Sequence, residues 1–200
     1  MPKLSKRDLI LKVATKHFAK YGYDRTVLDE IAKECNLSKP AIYYHFKNKS
    51  MLYKEIICDF FTRVSREIEL KTRNKNPLDA LESYVRVFGE FFIQEPHFSS
   101  IFAKELSFGS SNIKECVIML QSILSRLVQI LDDGYKEGLF EKENPFMIQL
   151  MIISTLTNYN TTRELREHIT AKLNNLDGFE PKLEGIVDNL AKKILKAVRC

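Results

Sequence analysis

The chain has 200 residues, 44% of them apolar and 28% charged, with 7 Gly, 6 Pro and a formal net charge of +5. That length can bury a core without staples, and the composition excludes a disordered or collagenous chain. No apolar run approaches the ~20 residues a membrane helix needs, Gln149 interrupting even the stretch from Phe146 to Ile153, and no apolar segment with a cleavage site follows the N-terminus. A soluble, cytoplasmic protein without a membrane partner is expected. Its four scattered cysteines, Cys35, Cys58, Cys116 and Cys200, are expected to be reduced thiols, neither disulfide-bonded nor zinc-binding.

Apolar residues recur at helical spacing throughout, and neither strand alternation nor an Asn-Gly or Asp-Gly hairpin occurs. An all-α fold of about nine helices follows, at roughly 5–21, 27–34, 38–45, 48–72, 77–94, 96–107, 112–137, 145–165 and 181–198. Asn76-Pro77, Glu95-Pro96, Asn144-Pro145 and Glu180-Pro181 mark starts, because proline is tolerated in a first turn. Loose segments are expected at Arg73–Asn76, Phe108–Ser111 and Asn174–Glu180.

The charge is uneven. Residues 1–50 hold 11 Lys/Arg against 5 acids, a net +6, and the other 150 residues carry −1. A basic head (1–50) for a polyanion joined to a neutral body (51–200) fits that asymmetry, as does a plain solvated basic surface.

Within the head, Thr26-Val27-Leu28-Asp29 reads as a capping signature, with the Thr26 hydroxyl accepting an amide at the start of a short helix. Asn36 tolerates the left-handed backbone of a turn, and Ser38 can cap a second helix; the pair makes a helix-turn-helix held by Ile31, Leu37 and Ile42 across a small Ala32. The second helix buries only Ile42 and Phe46, so its other side chains must face something. Lys39, Pro40 and Ala41 suit a major groove, where lysine donates to guanine and small apolar groups touch a thymine methyl. Tyr43, Tyr44 and His45 can reach phosphates and sugars. Asn48-Lys49-Ser50 caps the next helix, whose free amides and Lys49 make an anion site.

The run Tyr21-Gly22-Tyr23, Thr26, Ile31-Ala32, Leu37-Ser38-Lys39, Ile42 to Lys49 and Leu52 closely resembles the DNA-binding domain of the tetracycline-repressor (TetR) family of bacterial regulators. The resemblance implies a homodimer with its heads in successive major grooves of a palindromic operator, and a helical body that binds a small-molecule effector. It puts Lys39, Pro40, Tyr44 and His45 where relatives read bases or methyl groups and Thr26, Ala41, Tyr43 and Lys49 where they hold phosphates; Ser38 completes the DNA-binding set. Pro40 and Asn36 stand where glycine is commoner, and Asp29 is acidic where some relatives carry a base-reading cation.

In the body, the apolar stripes of 145–165 and 181–198 suggest either a four-helix dimer interface through Ile152, Leu156, Ile186, Val187, Leu190 and Ile194 or two helices that only cap the monomer's own core. Phenylalanines concentrate in the middle, Phe108 among them, with a few polar groups between; Phe61, Tyr84, Phe88, Phe91, His97, Phe102, Glu105, Gln121 and Asn158 are the candidate lining of an effector pocket. No cofactor or metal site is expected. The expected function is a transcriptional repressor released from DNA by a largely apolar ligand. The alternatives are a helical enzyme, for which His97 and Glu105 are the one conceivable base and orienter, and a protein-interaction module without DNA binding. No nucleophile elbow, phosphate loop, dinucleotide fingerprint or His-Glu-x-x-His helix occurs.

Overall fold

Ten α-helices and one 3-10 turn account for most of the described residues, 5–107, 113–172 and 182–200, of the computed structural model. They are α1 (Lys6–Arg25), α2 (Leu28–Glu34), α3 (Lys39–His45), α4 (Lys49–Thr72), α5 (Pro77–Gln94), α6 (Pro96–Ser107), the 3-10 turn Ile113–Cys116, α7 (Val117–Lys136), α8 (Pro145–Thr161), α9 (Arg163–Thr170) and α10 (Leu183–Val198). Side-chain caps set several starts: Ser5 accepts the amide of Asp8, Asn48 that of Met51, Asn76 that of Asp79 and Asn144 that of Phe146. No helix among the described residues is long and apolar enough to cross a membrane.

The expected boundaries hold except at three places. The first is α1, expected to end at 21, which runs on to Arg25 past a kink at Gly22. The run expected at 145–165 divides at Thr162, where φ −99° and ψ 13° leave the helix. Thr161 and Thr162 turn their hydroxyls onto the carbonyls of Thr157 and Asn158, the back-bonding that competes with a helical ladder. A further helix, α9, follows, supported by the Arg163–Glu167 pair four residues apart. The helix expected from 112 starts instead with the 3-10 turn. The segments expected to be loose at 108–111 and 174–180, Phe108 and the Glu180-Pro181 start lie outside the described residues.

One hydrophobic core runs from Ile10 in the head to Val198 at the end of α10. α4 crosses the expected division at residue 50 without a break and contributes Leu52, Phe60, Phe61, Val64 and Ile68 to it. α5 and α10 cross closely at Gly89, where a Cβ would come within 2.4 Å of Val187. Only glycine lets the two backbones approach so far.

α4 and α7 run side by side in the same direction. Arg126 donates to the Thr72 hydroxyl and carbonyl at 2.7 and 2.8 Å, and the Ser65 hydroxyl donates to that of Ser122. At the end nearest the head, Cys58 and Cys116 are disulfide-bonded with their Cα atoms 5.4 Å apart. This corrects the expectation of four reduced thiols. The partners are 58 residues apart in sequence, a distance that only the pairing of α4 with α7 closes.

The residues expected at a dimer interface are also corrected. Ile152 and Leu156 of α8 and Val187, Leu190 and Ile194 of α10 are buried in the chain's own core, and Ile186 is half-buried, because α8 packs on α6, α5, α7 and α10 and α10 packs on α5 and α8. The apolar surface left on α8 is Phe146, Met147, Leu150 and Met151, of which Phe146 is 64% exposed.

Candidate nucleic-acid interface and body cleft

The head folds around a turn that its sequence demands. Gly22 has φ +80°, bending the end of α1 so that the chain can enter α2, a backbone region open to glycine and strained for other residues. Asn36, at φ 55°, makes the expected left-handed turn between α2 and α3, where Leu37 N–H donates to the Ala32 carbonyl at 2.9 Å. Ile31, Ala32 and Ile42 are buried and Leu37 half-buried, as a tight helix-turn-helix requires.

α3 buries Ile42, and Phe46 just beyond it, and presents the rest. Tyr44 is 86% exposed, its ring edge-on to His45 at 5.2 Å; Ser38, Lys39, Pro40 and Tyr43 are exposed, and Ala41 and His45 half-exposed. Seven of the nine residues expected to face DNA are therefore exposed or half-exposed, spread around α3 away from the buried Ile42 and Phe46. Ser38 holds the N-cap position of α3 but makes no side-chain cap bond.

The other two take different parts. Thr26 is buried, and its hydroxyl donates to the Gly22 carbonyl at 2.7 Å; Val27, without a side-chain cap bond, occupies the N-cap of α2. The capping expected of Thr26 fails because its oxygen closes the bend at the end of α1. Lys49 is not spread toward solvent. Its ammonium donates to the carbonyls of Tyr23, Asp24 and Thr26 at 3.0, 3.2 and 3.2 Å and lies over the Tyr23 ring. A lysine has three N–H donors, and these three carbonyls match them, tying α4 to the α1–α2 turn. Sequence spacing could not distinguish this use from a phosphate contact.

Lys39 meets Asp29 of α2 at 2.8 Å. The hydrogen bond and the charge of Asp29 raise the Lys39 ammonium above its ordinary pKa. An exposed pair of this kind is easily exchanged for another anion, so Asp29 competes with a duplex without removing Lys39 from the surface.

Head and body meet through α1, α4 and α6. The Tyr53 hydroxyl donates to Glu105, Lys104 donates to the Ala19 carbonyl at 2.6 Å, and Arg7 pairs with Glu55. Beside this seam a cleft of about 310 Å³ is lined by Lys12, Lys16, Asp59, Arg63, Glu95 and His97 with apolar neighbours. Arg63 pairs there with both Asp59 and Glu95, which together hold its guanidinium above the ordinary range.

A second space, a half-open cleft of about 190 Å³ in the body, is lined by Phe61, Phe88, Phe102, Leu106, Leu120, Ile123, Gln149, Leu150, Ile153 and Ser154, with Leu106, Leu150 and Ser154 at its exposed rim. Of the expected pocket residues it gathers Phe61, Phe88 and Phe102. Tyr84 stands behind the wall, its hydroxyl donating to the Gln149 side-chain oxygen at 2.6 Å, and burial pushes that phenol well above its usual pKa. The remaining five are corrected. Phe91 packs against Phe60 and the Arg63 guanidinium, His97 lines the junction cleft, Glu105 bonds Tyr53, and Gln121 and Asn158 lie on exposed helix faces. His97 and Glu105, eight residues apart on α6, are separated by about 12 Å along its axis and form no base and orienter pair. Gln149 was missed as a pocket residue, although its place inside an otherwise apolar run is the signal that marks it.

Residues 10–56 match the family described as bacterial regulatory proteins, tetR family. Over 156 residues, 75% of this chain and 80% of the relative, the sequence is 30% identical to the HTH-type transcriptional regulator YhgD of Bacillus subtilis (strain 168). It is 34% identical over 83 residues, 41% of this chain and 45% of the relative, to IcaR of Staphylococcus aureus (strain Newman), a negative transcriptional regulator of the biofilm operon icaADBC. The fold superimposes on the regulator FadR of Bacillus subtilis, solved in complex with stearoyl-CoA, with a TM-score of 0.71 at 17% identity, covering 96% of this chain and 99% of that one.

Proposed function

Because the chain belongs to the tetR family of bacterial regulatory proteins and is a helix-turn-helix transcriptional regulator, we propose that it is a repressor that a small, largely apolar ligand releases from its operator. Regulators of this family bind DNA and small-molecule effectors and act as dimers. Family membership also makes the chain a regulator rather than an enzyme.

The observation that carries the proposal is the course of α4. One unbroken helix bears Lys49, which holds the α1–α2 turn, and Phe61, which lines the body cleft. A ligand that binds better when α4 is displaced necessarily shifts the head as well, and that difference in affinity is all that release from DNA requires.

In this reading residues 1–50 are the reader and 51–200 the sensor. Ser38, Lys39, Pro40, Ala41, Tyr43, Tyr44 and His45 face the major groove and its phosphates, while Thr26 and Lys49 build the surface from behind. The ligand sits among Phe61, Phe88 and Phe102, and Gln149 and Ser154 meet its polar end. A space of about 190 Å³ falls below the ~300–1,000 Å³ typical of drug-sized sites, which favours a compact ligand over a long acyl thioester such as the one bound by FadR. The dimer forms through the exposed apolar face of α8, with Phe146, Met147 and Met151 at its centre. The negative regulation in IcaR's description supports repression.

Selection of bound sequences from random duplexes tests the reading. A palindrome with half-sites about one helical turn or more apart is expected, and recovery of no preferred sequence refutes it.

A further inference from the structure

Cys58 and Cys116 are disulfide-bonded in a member of a family of DNA-binding regulators, and wherever thiols are kept reduced such bonds are mostly transient and redox-sensing. We propose that this pair is a redox-modification site, closed by a hydroperoxide, that clamps the head-proximal part of α4 to α7 and so alters DNA affinity. The effect on DNA rests on the regulator reading; closure of the bond does not.

Position makes the bond consequential. Cys58 lies three residues before Phe61 and Cys116 four before Leu120, so each is about one turn from a wall of the body cleft. The other ties between α4 and α7, Ser65 to Ser122 and Thr72 to Arg126, lie farther from the head. With the disulfide open, α4 is held to α7 at its far end and can pivot near the body cleft. With it closed, the helix is fixed about 14 Å along its axis from Lys49, at 1.5 Å per residue, and the head is fixed with it.

Burial sets the order of chemistry. Cys58 is half-buried and reachable, whereas Cys116 is fully buried. The Cys58 thiolate attacks one oxygen of the hydroperoxide and the O–O bond breaks; a sulfenic acid forms and the alcohol leaves, carrying the thiol proton. The Cys116 thiolate then attacks that sulfur, the S–O bond breaks and water leaves with the second proton. Two thiols are oxidised by two electrons, and the hydroperoxide is reduced to alcohol and water. Exchange with a dithiol reverses the step. Cys35 is buried, and burial raises its thiol pKa, which disfavours the thiolate; Cys200 is exposed, and neither is disulfide-bonded.

The test uses the full chain carrying Cys200→Ser, so that the exposed thiol cannot join two molecules. Reduced protein is titrated with cumene hydroperoxide, and closure is read by thiol counting and by a linked peptide holding Cys58 and Cys116. Affinity for the selected duplex is then measured in both states. The expected results are a closed pair and at least about a fivefold difference in Kd, absent in Cys58→Ser and Cys116→Ser. Comparing the two redox states of one protein keeps the test independent of whether the Cys58 and Cys116 variants fold. Failure to close, equal affinity in both states, or loss of the helical signal on reduction, which makes the bond a structural staple, each overturns the inference. A pair that closes in a protein binding no duplex in either state refutes the regulator reading and leaves the redox site standing.

Discussion

Tyr53 of α4 donates its hydroxyl proton to the Glu105 carboxylate of α6 across 2.8 Å, with both side chains buried where head meets body. On one side Tyr53 packs against Phe18 and Tyr23 of α1, and Tyr23 lies beneath the Lys49 ammonium. On the other, Glu105 sits between Phe102 and Leu106, neighbours along α6 that line the body cleft. Tyr53→Phe removes one donor to a buried carboxylate and is expected to cost about 1–3 kcal/mol of stability. Ligand-induced release from DNA should weaken more than DNA binding itself. Urea unfolding and a release titration on the same preparations check both.

Burial and the bond to Glu105 push the Tyr53 phenol far above its ordinary value of 10, and burial does the same to Tyr84. Folding therefore favours the protonated phenols. Their contribution is complete below pH ~10, the unfolded value, and is lost as pH rises from there toward the folded values. The urea midpoint should fall above that pH, with a shallower fall in Tyr53→Phe.

Lys49→Ala removes three carbonyl anchors and a cation over Tyr23. DNA binding should weaken through a loosened head. The salt dependence of binding should keep its slope, whereas loss of a phosphate contact lowers it by about 1. Anisotropy titrations across a salt series distinguish the two; a lowered slope would return Lys49 to the phosphates.

Asp29→Asn releases Lys39 from its partner and removes a negative charge beside α3. Operator affinity should rise severalfold, and Lys39→Ala should abolish that gain and relax base preference. Competition binding with single-base operator variants measures it.

Gln149→Leu takes a polar group from the cleft wall and one of the two acceptors of the Tyr84 hydroxyl, leaving the Ile123 carbonyl. A ligand with a polar end should lose about tenfold in affinity, the worth of roughly 1–2 kcal/mol for one hydrogen bond, and a purely apolar ligand should not. Ligand-induced shifts in Tm give the comparison. On the outer face of α8, Met147→Asp should shift the protein toward monomer in sedimentation.

By itself the sequence determined what is local. Helical spacing, the prolines that start helices, the left-handed Asn36 and the sparse burial of α3 were all readable, because each depends on residues within a turn or two of one another. So was the face carrying Tyr44 and Lys39. What each side chain meets across the interior was decided only by tertiary structure. Nothing near Lys49 in the chain announces three carbonyls more than twenty residues before it, nor does anything near Cys58 announce Cys116. The same limit moved Glu105 from body cleft to junction, buried Ile152 and Ile194 in their own chain, and brought Gln149 into the wall. Periodicity says that a helix has an apolar face. Which neighbour covers that face follows from how all the helices pack at once, and that packing decides that Lys49 anchors the α1–α2 turn while Lys39 stays exposed.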